Sequence, residues 1–229
     1  MRRQGYLLNL PETAYREAYA LQQTAVAARI ARRLQTDLVI MLEHPPVFTQ
    51  GRRGGRRNLL VSVTLLQEKG IEIVPIERGG DITYHGPGQL VVYLLMDLKT
   101  ARIKVTDLVG RLEEVMIRTA TQWGLNAHGD ANLRGAWIAN RKLGSVGIII
   151  RRGITFHGLA LNVSTDLTPF DWINPCGIAG CRMTSLALET DTAVSMVQVR
   201  NQMAHHMQEV FGMNLAPIDL GRLKAHLGP

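Results

Sequence analysis

Cys176 is the residue of this chain best placed to do covalent chemistry. It lies in Asn174-Pro175-Cys176-Gly177-Ile178, a loop rather than an apolar helix or strand. Pro175 fixes the approach of the chain, and Gly177 lets a ligand or partner backbone come close. The plain alternative is a buried cysteine acting as a small hydrophobe, the commoner fate of that residue type. Cys181 has weaker flanks and reads as structural. A thiol with a free pKa of about 8.5 is mostly protonated at neutral pH, so a nucleophilic Cys176 needs a cation or a base beside it. Lys142 is the candidate. It opens a predicted β-hairpin whose second strand ends just before the Cys176 loop, and a lysine moved into a low-dielectric site can accept a proton. A solvated surface charge is the competing reading of Lys142.

A second stretch looks built to present groups to a ligand. Arg78-Gly79-Gly80-Asp81-Ile82-Thr83-Tyr84-His85-Gly86-Pro87-Gly88-Gln89-Leu90 sets four glycines, a proline and several polar side chains between the apolar runs Ile71 to Ile76 and Leu90 to Leu95. The runs predict strands and the segment between them a constrained loop of little use to a hydrophobic core. A plain hairpin connection is the alternative. No Lys-Ser or Lys-Thr follows its glycines, which excludes a phosphate-cradling P-loop, and the third glycine of a dinucleotide fingerprint is missing. His44, His85 and His157 each stand at a predicted strand end beside Gly or Pro, where a ligand contact is plausible. His205, His206 and Glu209 share one helix without an HExxH pattern and read as an exposed face. Two cysteines alone do not make a zinc site, and no metal is expected.

The elements that must position these groups are legible from apolar spacing. Gly5 to Leu10 predicts a first strand and Pro11 the first turn of a long helix reaching about Leu34. Asp37 to Leu42 predicts a strand, and Leu59 to Lys69 a short helix. Val109, Leu112, Val115, Met116 and Thr119 follow helical spacing between Thr106 and Trp123, with Gly124 as the stop. Three β-rich segments follow, 135–139, 143–151 and 154–163, the last two joined by Arg152-Gly153. The stretch 164–182 reads as irregular, and helices are predicted from about Thr192 to Phe211 and around Leu220. Strands and helices mix without regular alternation, which favours an α+β fold over a doubly wound parallel sheet.

At 229 residues and 46% hydrophobic content, one domain spanning 1–229 is expected. The net charge of +7 suits an acidic partner. Aromatics do not alternate with the basic clusters as on a base-stacking platform, so nucleic acid is not the expected partner. The apolar stretch after Arg2-Arg3 is interrupted at Asn9 and ends at Pro11, unlike a secretory signal, and no run is long enough to span a membrane. A soluble, cytoplasmic protein is expected.

Four ordered motifs resemble those of the lipoyl(octanoyl) transferases: Glu43-His-Pro-Pro-Val-Phe-Thr-Gln-Gly51, Arg78 to Gln89, Arg152-Gly-Ile-Thr-Phe-His-Gly-Leu-Ala-Leu-Asn162 and Asn174 to Ile178. The resemblance implies the fold shared with biotin and lipoate protein ligases, a mixed sheet flanked by helices. It implies an acyltransferase that uses no cofactor and moves octanoyl from octanoyl-acyl carrier protein through an enzyme thioester to a lysine of a lipoyl domain. The implied acceptors are the 2-oxoacid dehydrogenase complexes and the glycine cleavage H protein. Cys176 matches the family's acylated cysteine and Lys142 the lysine that activates it. Arg78, Gly79, Gly80, Asp81, Ile82, Thr83, Tyr84 and His85 match its substrate-binding residues, as do Ser145, Val146 and Gly147, and Gly158, Leu159 and Ala160. An ATP-dependent lipoate or biotin protein ligase is the alternative on the same fold.

Overall fold

The computed structural model describes residues 2–228. In chain order, β1 (Arg3–Glu12), α1 (Tyr15–Ile30), β2 (Asp37–Glu43) and β3 (Val47–Gln50) come first. A 3₁₀ turn at Arg56–Asn58 leads to α2 (Val63–Glu68), whose N-cap Ser62 accepts the Leu65 N–H. Then come β4 (Glu72–Pro75), β5 (Ile82–His85) and β6 (Gln89–Leu95). The short α3 (Leu98–Ala101) and α4 (Val105–Thr121) precede β7 (Ala127–Gly129), β8 (Ala136–Ile138), β9 (Arg141–Arg151) and β10 (Ile154–Asn162). Two 3₁₀ turns, Thr168–Trp172 and Pro175–Gly177, precede β11 (Arg182–Met183) and α5 (Leu186–Glu189). The chain closes with α6 (Met196–Phe211), β12 (Met213–Pro217) and α7 (Leu220–Leu227).

The main sheet runs β12-β1-β2-β6-β10-β9-β8-β7, with β11 added beside β9, and a smaller sheet runs β4-β3-β5. Parallel pairs β1·β12 and β1·β2 sit beside the antiparallel pairs β2·β6, β6·β10 and β10·β9, so the sheet is mixed as expected. Side chains alternate across the sheet. Leu38, Ile40 and Leu42 pack with Ala18, Val26 and Leu223 under α1 and α7. Val39 and Met41 pack with Leu112, Met116, Met203 and Met207 under α4 and α6. Both faces are covered, which is why β2 and β6 read as unbroken apolar runs. Arg152 and Gly153 both have positive φ, 50° and 85°, and make the tight turn that aligns β9 with β10. Among the described residues no helix is long and apolar enough to cross a membrane.

Four expectations need correction. Pro11 belongs to β1, and the first helix begins only at Tyr15. The segment expected to be a loop contains β5, paired antiparallel with β3. Its Ile82 and Tyr84 join Phe48, Leu66, Phe170 and Ile173 in a core of their own, so half of that strand is hydrophobic packing after all. His206 is buried rather than exposed. Finally β7 and β12, too short or too polar to stand out in sequence, complete the two ends of the main sheet.

Two buried imidazoles occupy the seam between the sheets. His44 Nδ1–H donates to the Thr13 carbonyl (2.7 Å), leaving Nε2 to accept from the Tyr93 hydroxyl (2.6 Å). His85 Nδ1–H donates to Gln89 Oε1 (2.6 Å), while the Gln89 amide donates to Asn162 Oδ1 (2.9 Å). Burial pushes His44 down to about 4, and burial with the neighbouring His44 pushes His85 down to about 3. Below the ordinary value of 6.5 the unfolded chain therefore takes up protons that the folded one refuses. Stability is fully present above that value and falls as the pH drops towards the folded values, by up to about 1.4 kcal/mol per pH unit for each histidine. Urea midpoints should decline between about pH 7 and pH 5, and His44→Asn, which keeps a donor near Nδ1, should flatten the decline. A parental midpoint constant over that range would show that the folded imidazoles take up protons as readily as those of the unfolded chain.

Candidate active site

Cys176 sits half-buried in the 3₁₀ turn at φ 58°, ψ 17°, a left-handed conformation that costs an ordinary side chain about 1–2 kcal/mol. The turn is held from below. Asn174 N donates to Asn58 O (2.9 Å), and the Asn58 amide donates to Asp81 Oδ2 (2.7 Å). Gly177, at φ 77°, lies so close that a Cβ there would stand 3.1 Å from Asp81 Oδ2. Asp81 Oδ1 also accepts the Ile82 N–H (2.7 Å), locking the carboxylate in place. Asp81 thus braces the cysteine turn. The Cys176 sulfur faces Ser145 Oγ at 3.9 Å.

Lys142 is only 1% exposed, which rules out the surface-charge reading. Its Nζ donates to the Arg134 carbonyl (2.5 Å) and lies 4.8 Å from the centre of the Trp137 ring. The backbone around it is fixed by β11, whose Met183 pairs with Lys142, and by Thr184 N donating to Lys142 O (2.9 Å). Burial pushes the half-buried Cys181 thiol up, with the Lys142 charge working against it. In this state no hydrogen bond joins Lys142 to Cys176.

Arg78 supplies a second buried cation. Its Nη2 donates to Thr49 O (2.8 Å) and Thr49 Oγ1 (2.9 Å), and Nη1 to Gly79 O (3.0 Å). Among the described residues it has no carboxylate partner in an ion pair. Burial pushes the guanidinium down from its ordinary value, and the negative charge of a Cys176 thiolate is the foremost influence against that shift. Gly79 N donates to Ile148 O (3.1 Å), and a Cβ on Gly147 would come within 2.9 Å of Arg78 Cδ, so the arginine lies directly against β9.

Arg78, Lys142 and Cys176 all line one cavity of about 410 Å³. Gly79, Gly80, Thr83, His85, Ser145, Val146, Gly147, Gly158, Leu159 and Ala160 line it too. The register explains their convergence, because Ser145 stands opposite Ala160, and Gly147 opposite Gly158. Asp81, Ile82 and Tyr84 do not reach the cavity. Thr83 and His85 point into it, so alternation along β5 turns Ile82 and Tyr84 the other way. The glycine at 158 also has a packing cause, since a Cβ there would strike Val92 O at 2.1 Å. His157 lines the cavity at φ 58°, with its N–H donating to Gln22 on α1 (2.8 Å), and burial pushes its imidazole down to about 4.

Tyr15, Tyr93, Leu133, Arg134 and Ile178 line the cavity without having been singled out in sequence. Only Tyr93 carried a signal, as a lone aromatic in an aliphatic run. No group of three or more His, Cys, Asp or Glu that could hold a metal occurs among the described residues.

The family model described as lipoyl protein ligase A/B catalytic domain matches residues 14–208. An octanoyltransferase of Desulfotalea psychrophila is 46% identical over 210 residues, 91% of this chain and 94% of its own length. That of Caldicellulosiruptor bescii is 39% identical over 208 residues, covering 90% and 91%. Among solved structures, a bipartite lipoate protein ligase from Thermoplasma acidophilum superposes with a TM-score of 0.75 at 18% identity, over 98% of this chain and 90% of that one. A biotin protein ligase from Aquifex aeolicus gives a TM-score of 0.56 at 11% identity, over 90% and 70%. At those identities the structures speak for the fold, which is that of the lipoate and biotin protein ligases. With the matched catalytic-domain model and relatives alike over nine-tenths of its length, the chain belongs to the octanoyltransferases of the lipoyl protein ligase A/B family.

Proposed function

We propose that this octanoyltransferase works through a Cys176 thioester, taking octanoyl from octanoyl-acyl carrier protein and passing it to a lysine of a lipoyl domain. The observation that carries the reading is a half-buried cysteine in a braced, left-handed turn, on the wall of a cavity that also takes in a buried lysine. Attack of the Cys176 sulfur on the donor thioester forms a new C–S bond. It breaks the old one, and the departing thiolate collects the proton. In the second step the acceptor amine attacks the enzyme thioester, an amide forms and Cys176 leaves. The first exchange is nearly isoenergetic and the second downhill, so neither step needs a nucleotide, unlike the ligase alternative. Splitting the transfer in two is covalent catalysis.

Lys142 is the proton carrier between thiol, leaving group and amine. Arg78 has five N–H groups, of which three are engaged. The remaining donors and the fixed charge stand beside the cavity, where negative charge develops on sulfur and on the tetrahedral oxygen. Arg53 also lines the cavity, and Arg52, Arg53 and Arg57 are exposed, a basic rim suited to an acidic carrier protein. Lipoyl domains of 2-oxoacid dehydrogenases and the glycine cleavage H protein are the proposed acceptors.

Octanoyl-loaded carrier protein should add to the enzyme an acyl mass that hydroxylamine removes. Cys176→Ser should lose turnover by about a hundredfold or more, while Cys181→Ser keeps it. A fully active Cys176→Ala enzyme would end the thioester mechanism.

Lys142→Arg preserves charge but cannot act as a base, so transfer should fall by roughly 10²–10⁴. Lys142→Ala should also slow alkylation of Cys176 at neutral pH. Parental transfer rates in both variants would remove the lysine from the chemistry.

Raising ionic strength should lower kcat/KM more than kcat, because exposed charges are screened over about 8 Å at physiological salt. If neutralising Arg52, Arg53 and Arg57 changes neither the rate nor its salt dependence, the carrier protein docks elsewhere.

A further inference from the structure

Helix α4 buries an apolar face made by Leu108, Leu112, Val115, Met116, Thr119 and Ala120, and Glu113, only 5% exposed, is buried with it. A carboxylate at such a place is costly unless it is hydrogen-bonded and paired. Glu113 has two partners. Oε1 accepts the Gly135 N–H at 2.7 Å, and Oε2 stands 3.4 Å from the guanidinium of Arg134, a side chain that is itself 55% exposed.

The first of these contacts bears on the catalytic lysine. The Gly135 N–H and the Arg134 carbonyl belong to one peptide group, which is planar and trans. In a trans peptide the oxygen and the hydrogen point in opposite directions. Glu113 therefore holds one side of the plane while Lys142 Nζ, at 2.5 Å from the Arg134 oxygen, takes the other. Rotation of that single peptide would remove the only hydrogen-bond acceptor that Nζ has among the described residues. On its C-terminal side the peptide is followed by Ala136, which pairs with Gly144. Gly135 has φ 134°, open to glycine, and a Cβ there would meet Gly144 O at 2.3 Å and Lys142 Cε at 2.9 Å. Asp130 and Trp137 secure only the preceding turn, through Asn132 N (2.7 Å), Leu133 N (2.8 Å) and Leu133 O (2.6 Å).

We infer that Glu113 is a positioning residue for Lys142, acting through the Arg134–Gly135 peptide that the two side chains grip from opposite sides. The inference rests on the proposed role of Lys142. Hydrogen bonding of the N–H to a carboxylate also polarises the peptide and strengthens its carbonyl as the acceptor for Nζ.

The test is a double-mutant cycle read by octanoyl transfer and by the pH dependence of Cys176 alkylation, with thermal midpoints measured alongside. Glu113→Leu fills the same space without an acceptor, and Glu113→Gln retains one. Glu113→Leu should reduce transfer by on the order of tenfold or more and move the alkylation profile towards that of Lys142→Ala. Glu113→Gln should restore most of both. In the Lys142→Ala background Glu113→Leu should add little further loss, because the two residues act as a unit. A lowered thermal midpoint with an unmoved alkylation profile, or full additivity with Lys142→Ala, makes Glu113 a structural residue only and overturns the inference. Impaired Lys142→Ala beside an unimpaired Glu113→Leu sinks this inference alone. Unimpaired Lys142→Ala sinks it together with the proposed role of the lysine.

Discussion

The close approach of Arg78 and Gly79 to β9 is the constraint on which the rest of the site depends. A guanidinium buried without a carboxylate must be satisfied by neutral oxygens, and those it uses belong to Thr49 of β3 and to Gly79. The next residue's N–H goes to Ile148 on the main sheet. One arginine therefore joins the small sheet to the large one and places a buried guanidinium on the cavity that Cys176 also lines. That arrangement requires a residue without a side chain at Gly147, where a Cβ would press on Arg78 Cδ at 2.9 Å. It also requires Asp81, three residues on, to face the cysteine turn rather than the cavity. Its contacts with Asn58, Ile82 N and Gly177 make it part of the scaffold of the Cys176 turn.

Much of this was legible in sequence because the signals were local. Unbroken apolar runs marked β2 and β6, and Gly124 and Gly212 marked the ends of α4 and α6, both with positive φ. The pairing of Cys176 with Lys142 followed from the motifs, and the structure brings both onto one cavity. What could not be read was decided by partners distant in the chain. The strand β5 is flanked by glycines and looks like a loop until β3 pairs with it, some 34 residues upstream. The identical period-2 rule that makes it a strand divides its residues into cavity-facing Thr83 and His85 and core-facing Ile82 and Tyr84. Burial of Lys142, His206 and Glu113 is likewise a tertiary outcome. Each reads as an ordinary charged or polar surface residue, and nothing in its immediate neighbours says otherwise.

The contacts of Lys142 divide its surroundings into two functions. A carbonyl oxygen and an aromatic face hold the nitrogen where it is, yet neither can take or give a proton at neutral pH. The nitrogen is thereby held by neutral groups rather than by an ion pair. A direct pairing with a buried carboxylate would instead fix the two charges on each other. The buried acid of this region, Glu113, is kept one peptide group away. Its influence passes through the Arg134–Gly135 plane rather than through a direct ion pair.

Backbone strain is concentrated at the same place. Six non-glycine residues among those described have positive φ, and three of them, Ala139, His157 and Cys176, lie in the turns and strand that build the site. Ala139 lies in the turn that sends the chain into β9 and so delivers Lys142. His157 lets β10 give its N–H to Gln22 on α1 instead of to a neighbouring strand. Cys176 is lifted by its own turn. Each conformation costs about 1–3 kcal/mol and persists only because its surroundings over-determine it. The Asn58–Asp81 contacts do this for the cysteine, and Gln22 does it for His157. Hydrogen bonds from the loops and from α1 are thus what hold Cys176 and His157 in these conformations on the cavity wall.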